Sequence, residues 1–225
     1  PSVSDISIAF RYLPMMNIGG DFLDIKTSDD DLGIGFFICD VSGHGVAAAL
    51  IASMVKMSLS NWEETLSAPA ETLKSLHNLL SAKIGRNFIT AAICYIDLKS
   101  SRCTFASAGH TPFIIARRSG ETEILHVRGR VINSLMTPEY REHVTDFNTG
   151  DTIILYTDGV VEAFNADRNL FGWDALLSLV KNNPGKSPDE LCDSIIKAVS
   201  TFTGQTKSFD DDITILAIRH EDRGK

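Results

Sequence analysis

The sequence is poor in cysteine and has no paired cysteine motif. Its 225 residues include four cysteines, with no Cys-x-x-Cys pair and no compact disulfide framework. The cysteines lie mostly inside apolar runs, as buried free thiols do. We therefore expect a reducing compartment, and the composition predicts a cytoplasmic protein.

Long apolar runs and clustered positive charge are also missing. No apolar run approaches the roughly 18 residues needed to cross a bilayer, and no charged leader followed by an apolar segment opens the chain. The formal net charge is -8, and no basic stripe could follow a phosphate backbone. We expect this domain to contact neither membrane nor nucleic acid.

The size and hydrophobic content suit one substantial core. Hydrophobic residues make up 44% of the chain, and no shift in composition marks a boundary. We therefore predict a single domain over residues 1–225. The chain starts at Pro1, without an initiating Met and directly before a predicted strand. We expect it to be the output domain of a longer regulatory protein with an upstream sensory or receiver domain.

Apolar patterning in the first half predicts a buried strand, a helix pair and a meander. The strand covers residues 34–40 and ends in a glycine turn. One helix covers residues 46–59 and is apolar nearly all round, and a second covers residues 73–84 with Pro69 near its first turn. Four strands of a predicted meander follow, at residues 89–96, 102–108, 113–117 and 123–127.

The second half predicts two further strands around two further helices. A strand at residues 151–158 delivers an aspartate into a glycine turn, and a closing strand covers residues 213–218. The first helix has an apolar face beginning at Trp173, and the second opens with a capping box at residues 187–190. Helix pairs on both sides of a largely antiparallel sheet system follow, which is an α+β fold.

Four acidic motifs stand where apolar strands meet turns. They are Gly19-Gly20-Asp21, Asp40-Val41-Ser42-Gly43-His44-Gly45, Tyr156-Thr157-Asp158-Gly159 and Asp211-Asp212-Ile213-Thr214. A single aspartate before glycine is most often a turn residue. Four carboxylates brought together would repel by roughly 4 kcal/mol per close pair at an effective dielectric of about 20. Because oxygen-preferring divalent cations relieve such repulsion, the combination predicts a metal site.

These motifs resemble those of the PP2C-like (PPM) metal-dependent protein phosphatases, in particular the bacterial SpoIIE/RsbU type. The similarity runs from about residue 12 to residue 219 and includes residues 19–24, 108–112 and 150–163. The resemblance implies a four-layer α-β-β-α sandwich of PP2C type, with two largely antiparallel sheets flanked by helix pairs. It also implies two Mn²⁺ or Mg²⁺ ions in a cleft at one edge.

The resemblance also implies a ligand for each position of the metal site. Asp40 is expected to bridge both ions, with the carbonyl of Val41 as a backbone ligand beside it. Asp158 and Asp211 are expected to bind one ion. Asp21 is expected to reach the other ion directly or through water.

Three further aspartates are alternative or supporting residues of this site. Asp24 is expected to contact the metal ligands rather than the metal ions. Asp212 or Asp210 would replace Asp211 if the turn register differed by one residue, although the Asp-Ile-Thr spacing favours Asp211. Residues 129–134 depart from the Pro-Leu-Gly pattern that the family commonly has there, so this region is expected to be reshaped.

The implied reaction is hydrolysis of a phosphoserine or phosphothreonine ester. A water bridging two divalent ions has a lowered pKa and becomes a nucleophile near neutral pH; Asp40 and Asp158 would hold that water. No covalent enzyme intermediate is required, and no Cys-x5-Arg motif is present. The expected substrate is a phosphoprotein, typically a phosphorylated STAS-domain anti-sigma-factor antagonist in a partner-switching pathway.

Two histidines lie within the motifs. His44 stands two residues further from Asp40 than the histidine assigned as general acid in the animal and plant enzymes. It is either a general acid or a residue of the turn before the helix. His110 is expected to be a structural hydrogen-bonding residue.

Three other functions stay open at this point. Gly-Gly-Asp-Phe resembles the diguanylate cyclase signature Gly-Gly-Asp-Glu-Phe, but Phe22 replaces the glutamate and the other acidic motifs would have no explanation. A second alternative is a non-catalytic partner-binding or sensor module on the same fold. A third is a metal phosphoesterase that acts on a small molecule.

Overall fold

The computed structural model describes residues 5–205 and 209–221, which form ten β-strands, four α-helices and two short 3-10 helices. The strands are β1 (Ile6–Leu13), β2 (Phe22–Thr27), β3 (Gly33–Val41), β4 (Ile89–Asp97), β5 (Arg102–Ala108), β6 (Phe113–Ala116), β7 (Thr122–Leu125), β8 (Glu142–Asp146), β9 (Thr152–Tyr156) and β10 (Ile213–His220). The helices are α1 (Val46–Ser58), α2 (Pro69–Leu80), α3 (Gly172–Lys181) and α4 (Pro188–Thr203), and the 3-10 helices are Trp62–Thr65 and Asp158–Val160.

The chain divides into two compact units, each built on a five-stranded antiparallel sheet. The first unit comprises Ile18–His110 and Val127–Asn148, with strand order β2-β3-β4-β5-β8 and the helices α1 and α2. The second unit comprises the other described residues, with strand order β1-β10-β9-β6-β7 and the helices α3 and α4. The predicted combination of antiparallel sheets with helix pairs is confirmed.

The core of the first unit lies between β3 and its helix pair. Phe37, Cys39 and Val41 alternate along β3 and pack in one cluster with apolar residues of α1 and α2. Every residue of β3 is buried except Asp40, which is half-buried. The predicted strand buried on both faces is therefore confirmed, and its one partly accessible residue is an aspartate.

The core of the second unit is formed by β9, β10, α3 and α4. Ile154, Tyr156 and Ile215 pack in a cluster with apolar residues of both helices. The predicted capping box of α4 is confirmed: the Ser187 hydroxyl accepts the Glu190 N–H at 3.3 Å, and the Glu190 carboxylate accepts the Ser187 N–H at 3.0 Å. This cap fixes the start of α4.

The predicted four-strand meander is wrong at its midpoint. β4 and β5 belong to the sheet of the first unit, whereas β6 and β7 belong to the sheet of the second. The chain leaves the first sheet at residues 109–112, where Pro112 lacks the N–H that a continuing strand would donate. Turn residues alone do not distinguish a hairpin from a change of sheet.

Two strands of the first unit were not predicted, namely β2 and β8. β8 is an edge strand with the sequence Glu-His-Val-Thr-Asp and four of its five residues exposed. Charged edge strands resist pairing with other chains, and they lack the apolar alternation that predicts a strand. In the part of the chain that the structure describes, no helix has the length and apolarity to span a membrane.

Candidate functional site

The register between β2 and β3 brings Asp21 and Asp40 together. Phe22 is paired with Cys39, so continuing the register by one residue sets Asp21 opposite Asp40. Asp21 is buried, with 7% of its surface exposed. Burial, followed by the charges of these two carboxylates, raises the pKa of the Cys39 thiol well above its usual value. Two of the predicted metal ligands therefore lie at the same end of one strand pair.

The cysteines are structural residues. All four are free and buried, as their position in apolar runs predicts. Burial also raises the pKa of the Cys94 thiol. Because the thiolate is the nucleophilic form, neither Cys39 nor Cys94 is suited to nucleophilic catalysis.

The carbonyl of Val41 faces a space that only glycine leaves open. A Cβ atom on Gly20 would lie 2.7 Å from the Val41 oxygen and 3.1 Å from the Ala48 Cβ. The distance to the Val41 oxygen is shorter than real Cβ contacts, so a side chain at this position would require the backbone to move. Gly20 therefore keeps the segment before Asp21 against the predicted backbone ligand.

The turn that follows Asp40 is held by Ser42. The Ser42 N–H donates to the Phe88 carbonyl at 3.0 Å, and the Ser42 hydroxyl accepts the Phe88 N–H at 2.9 Å. His44 is exposed in this turn, immediately before the Gly45 N-cap of α1. This is the helix-start position that the sequence suggests, and a general-acid role for His44 stays a prediction.

Asp24 is directed toward α1. It is paired with Phe37, whose side chain packs with the helix pair, and residues opposite each other on neighbouring strands share a face. The Lys56 ammonium donates to Asp24 Oδ1 at 3.0 Å, while the buried Asp24 Oδ2 has no hydrogen-bond partner among the described residues. Asp40, three positions from Phe37, faces the other side of the sheet, and the supporting role of Asp24 stays a prediction.

In the second unit, Asp158 follows the end of β9, as predicted. Thr157 extends the pairing with β10: its N–H donates to the Thr214 carbonyl at 3.0 Å, and its hydroxyl accepts the Thr214 N–H at 2.9 Å. Burial, followed by the charge of Glu162, raises the pKa of Asp158. A carboxylate in this position is better accommodated beside a cation.

The three consecutive aspartates of the fourth motif have different environments. Asp212 is buried, and its Oδ1 accepts the Met15 N–H at 2.7 Å. Asp210 and Asp211 are exposed and line a cavity of about 100 Å³ together with Glu162. Asp211 Oδ1 likewise accepts a backbone amide, that of Asp212 at 2.8 Å, so Asp211 stays the predicted ligand on the sequence spacing alone.

Sequence reasoning missed two residues of this region. Glu162 donates its N–H to the Asp158 carbonyl at 2.7 Å, and its carboxylate charge acts on Asp158. Thr157 is fully buried and fixes the strand end. Both lie inside the quoted motif at residues 150–163, but only the folded turn shows which of its polar residues approach the aspartate.

His110 forms hydrogen bonds, as the sequence predicts, and a purely structural role stays a prediction. Its Nδ1 lies 2.8 Å from the Thr90 hydroxyl, and its N–H donates to the Ser107 hydroxyl at 3.0 Å. Thr90 is the cross-strand partner of Asp40. His110 therefore supports the strand pair on which Asp40 lies.

The atypical segment at residues 129–134 is anchored to the start of β4. Ile132 is buried, and its N–H and carbonyl both bond to Ile89, at 2.9 and 3.0 Å. Ile89 is in turn the cross-strand partner of Val41. The segment is therefore connected to the strand end that carries a predicted ligand.

The donor set fits Mn²⁺ or Mg²⁺, because all its donors are carboxylate or carbonyl oxygens. Asp21, Asp40 and Val41 belong to the first unit, and Asp158 and Asp211 belong to the second. Among the residues that the structure describes, no three His, Cys, Asp or Glu side chains are grouped closely enough to hold a metal ion.

Residues 30–221 match the family described as Stage II sporulation protein E (SpoIIE). The chain belongs to the SpoIIE family. The resemblance drawn from the five motifs is thereby confirmed.

Two curated relatives of this SpoIIE-family chain are phosphoserine phosphatases of Bacillus subtilis. RsbU is 25% identical over 98% of this chain and 65% of its own length. RsbP is 26% identical over 96% of this chain and 53% of its own length. The chain therefore spans less than two thirds of the length of either relative.

Solved structures confirm the predicted fold class, an α+β sandwich of PP2C type. The PP2C domain of SiaA from Pseudomonas aeruginosa superposes with a TM-score of 0.83 at 22% identity, covering 94% of this chain and 85% of that chain. The catalytic domain of the serine/threonine protein phosphatase PstP, in complex with two manganese ions, superposes with a TM-score of 0.70 at 12% identity, covering 96% and 99%.

Proposed function

We propose that this SpoIIE-family chain is a Mn²⁺- or Mg²⁺-dependent serine/threonine phosphoprotein phosphatase that uses two ions. The observation that carries the proposal is the placement of Asp21 and Asp40 at one strand end, beside the Val41 carbonyl. The phosphoserine phosphatases RsbU and RsbP support the activity, and the two manganese ions of PstP support the cofactor.

The proposed ligands are the carboxylates and the carbonyl named by the resemblance. Asp21, Asp40, the Val41 carbonyl, Asp158 and Asp211 would hold the ions. When bound, the ions would activate water and neutralise charge that develops on the phosphoryl group.

The remaining residues would position these ligands. The β2/β3 register fixes the spacing of Asp21 from Asp40. Thr157, through its two bonds to Thr214, fixes where Asp158 leaves β9. Preorganised ligands of this kind need little rearrangement during the reaction.

The proposed substrate is phosphoserine or phosphothreonine in a phosphorylated STAS-domain anti-sigma-factor antagonist of a partner-switching pathway. We further propose that residues 1–225 act as one PP2C-like domain, the output of a longer cytoplasmic protein with an upstream sensory or receiver domain. No contact with nucleic acid or membrane is required for this role.

Hydrolysis of p-nitrophenyl phosphate tests the proposed activity. We expect turnover with Mn²⁺, none with EDTA, and none for Asp40→Asn. Asp29→Asn is the matched control, because Asp29 is an exposed aspartate of the same unit outside the motifs. Activity that persists in EDTA would contradict the metal site. Bound Mn²⁺ without turnover would favour the non-catalytic partner-binding module.

The substrate class needs a separate measurement. We expect phosphate release from a phosphorylated STAS-domain protein at a higher kcat/KM than from small phosphate esters. Equal or greater efficiency on small esters would instead favour a small-molecule phosphoesterase.

A further inference from the structure

A second cavity of the second unit lies at the opposite end of β9 from Asp158. Its volume is about 300 Å³, and its lining includes Thr152, the first residue of β9, and Arg219 of β10. These two residues are cross-strand partners. At about 3.3 Å per residue, Thr152 and Asp158 are separated by roughly 20 Å along the chain. The cavity is therefore distinct from the aspartates at the other strand end.

The lining of this cavity is strongly cationic. It contains five cations and one carboxylate, that of Glu121. The cations are Arg117, Arg118, Lys181, Lys186 and Arg219. The chain as a whole carries a formal charge of -8, so this concentration of positive charge is opposite to the average. Such a concentration attracts anions.

Arg117 is held in the fold by two carboxylates. Its side chain contacts Glu123 at 2.7 Å and Asp151 at 2.9 Å, and only 14% of it is exposed. The hydrogen bonds with Glu123, followed by those with Asp151 and opposed by burial, raise its pKa. The two carboxylates therefore neutralise the charge of Arg117. Its side chain forms part of the cavity wall.

The charges of three other cations are less compensated. Among the described residues, Lys181 and Lys186 form no ion pair, and the Lys186 ammonium donates to the Ser194 hydroxyl at 2.7 Å. Arg219 donates from Nη1 to the Lys186 carbonyl at 2.9 Å, and its Nε lies 4.0 Å from the Glu221 carboxylate. That buried Nε has no hydrogen-bond partner among the described residues. These three cationic side chains can therefore interact with the negative charge of a ligand.

We propose that this cavity binds a small molecule that carries a di- or triphosphate group. With Arg117 neutralised, the lining still holds four cations against the one carboxylate of Glu121, and a polyphosphate presents several negative charges and many acceptor oxygens to these lysine and arginine donors. A volume of about 300 Å³ is at the lower end for small-molecule sites. Val180, Pro184 and Leu191 provide an apolar wall for the rest of the ligand.

Isothermal titration calorimetry with pyrophosphate and, separately, with ADP tests this site. EDTA is present throughout, so that the proposed metal site contributes no phosphate affinity. We expect binding by the wild type and at least about tenfold weaker binding, or about 1.4 kcal/mol, for Lys181→Glu and Arg118→Glu. Both side chains are exposed, so these variants retain the fold. Lys197→Glu, an exposed position on α4 with the same charge change, is expected to bind as the wild type does.

The outcomes separate the possible ligands. Tighter binding of ADP than of pyrophosphate assigns the apolar wall to a nucleoside, and equal binding assigns the site to polyphosphate alone. Absence of binding for both probes, or equal weakening by Lys197→Glu, would overturn the proposal. A third result would also overturn the proposal: an acidic peptide binds, neither probe binds, and the same two variants weaken the binding of the peptide. That pattern would describe a protein-docking surface. NMR chemical-shift changes of the amides of Gly120, Gly150 and Gly185 on adding pyrophosphate provide a second measurement, since all three residues line the cavity.

Discussion

At the residue scale, Asp40 and Asp158 stand at equivalent points, each where a buried strand meets a turn. Both are half-buried rather than fully buried, so they combine a fixed position with access for a ligand. Their replacement by asparagine keeps shape and volume while removing the charge. The consequences for the fold are therefore expected to be small and those for metal binding large.

We expect Asp40→Asn and Asp158→Asn each to abolish Mn²⁺-dependent turnover of p-nitrophenyl phosphate, because each would remove a charged ligand. Circular dichroism and thermal unfolding should remain close to those of the wild type. Near-wild-type activity in either variant would refute the ligand assignment.

Gly159, next to Asp158, is a residue whose replacement should introduce a steric clash. A Cβ atom there would lie 2.1 Å from the Asp212 carbonyl oxygen, which is backbone and cannot rotate away. We expect Gly159→Ala to destabilise the protein by about 1–3 kcal/mol in urea unfolding and to reduce activity.

Gly85→Ala is the control for this contact. Gly85 has a positive φ of 64°, but a Cβ atom there would meet no neighbour within 4 Å. It should therefore show only the cost of the backbone conformation, about 1 kcal/mol. An equal loss in both variants would mean that the contact with Asp212 is unimportant.

His77 should make the stability depend on pH. It is buried, with Nδ1 2.7 Å from the Tyr140 hydroxyl and Nε2 3.0 Å from the Met136 carbonyl. Burial, partly opposed by the bond to Met136, lowers its pKa in the folded state below the ordinary 6.5. The unfolded chain therefore binds more protons near pH 6 than the folded one, so this contribution is complete above pH 6.5 and is lost as the pH falls.

We expect the free energy of unfolding to fall between pH 7 and pH 5, and His77→Gln to show a shallower fall. The comparison uses the slope with pH rather than the absolute stability, since the substitution also removes packing. His143→Gln is a suitable control, because His143 is exposed on β8. Equal slopes in the wild type and His77→Gln would exclude this histidine as the source.

At the scale of elements, the capping box determines where α4 begins. The Ser187 hydroxyl accepts the Glu190 N–H, which satisfies one of the first amides of the helix. We expect Ser187→Ala to lower the unfolding free energy by about 1 kcal/mol in urea unfolding. Ser200→Ala, inside the same helix, should cause no loss because alanine favours helix. A loss confined to Ser200→Ala would contradict the role of the cap.

The same scale shows which elements local sequence can predict. β3 is an unbroken apolar run that is buried on both faces, so its bounds were predicted closely, and α4 has a cap, so its start was predicted closely. β8 has neither feature, and its pairing with β5 is a tertiary contact between segments about 40 residues apart. The change of sheet after β5 also depends on distant partners, so the meander prediction failed there.

At the scale of the whole molecule, metal binding should be measurable as stability. A ligand that binds only the folded state stabilises it, by about 2.7 kcal/mol at a concentration 100 times its Kd. We expect Mn²⁺ to raise the Tm, EDTA to reverse the rise, and Asp40→Asn to reduce it strongly. Asp29→Asn should respond as the wild type does. A rise of equal size in Asp40→Asn would place the bound metal elsewhere.

The sequence by itself determined the family and the acidic chemistry of this protein. Aspartates where apolar strands meet turns, in four of the five ordered motifs, are local features, and local features survive in a sequence that is only about a quarter identical to its curated relatives. The tertiary structure decided the side-chain environments. It directs Asp24 toward α1, and it bonds Asp212 to Met15, 197 residues away. It also gathers the cations of the second cavity from several elements. Register, face and long-range hydrogen bonds arise only when distant segments pair, so no local pattern contains them.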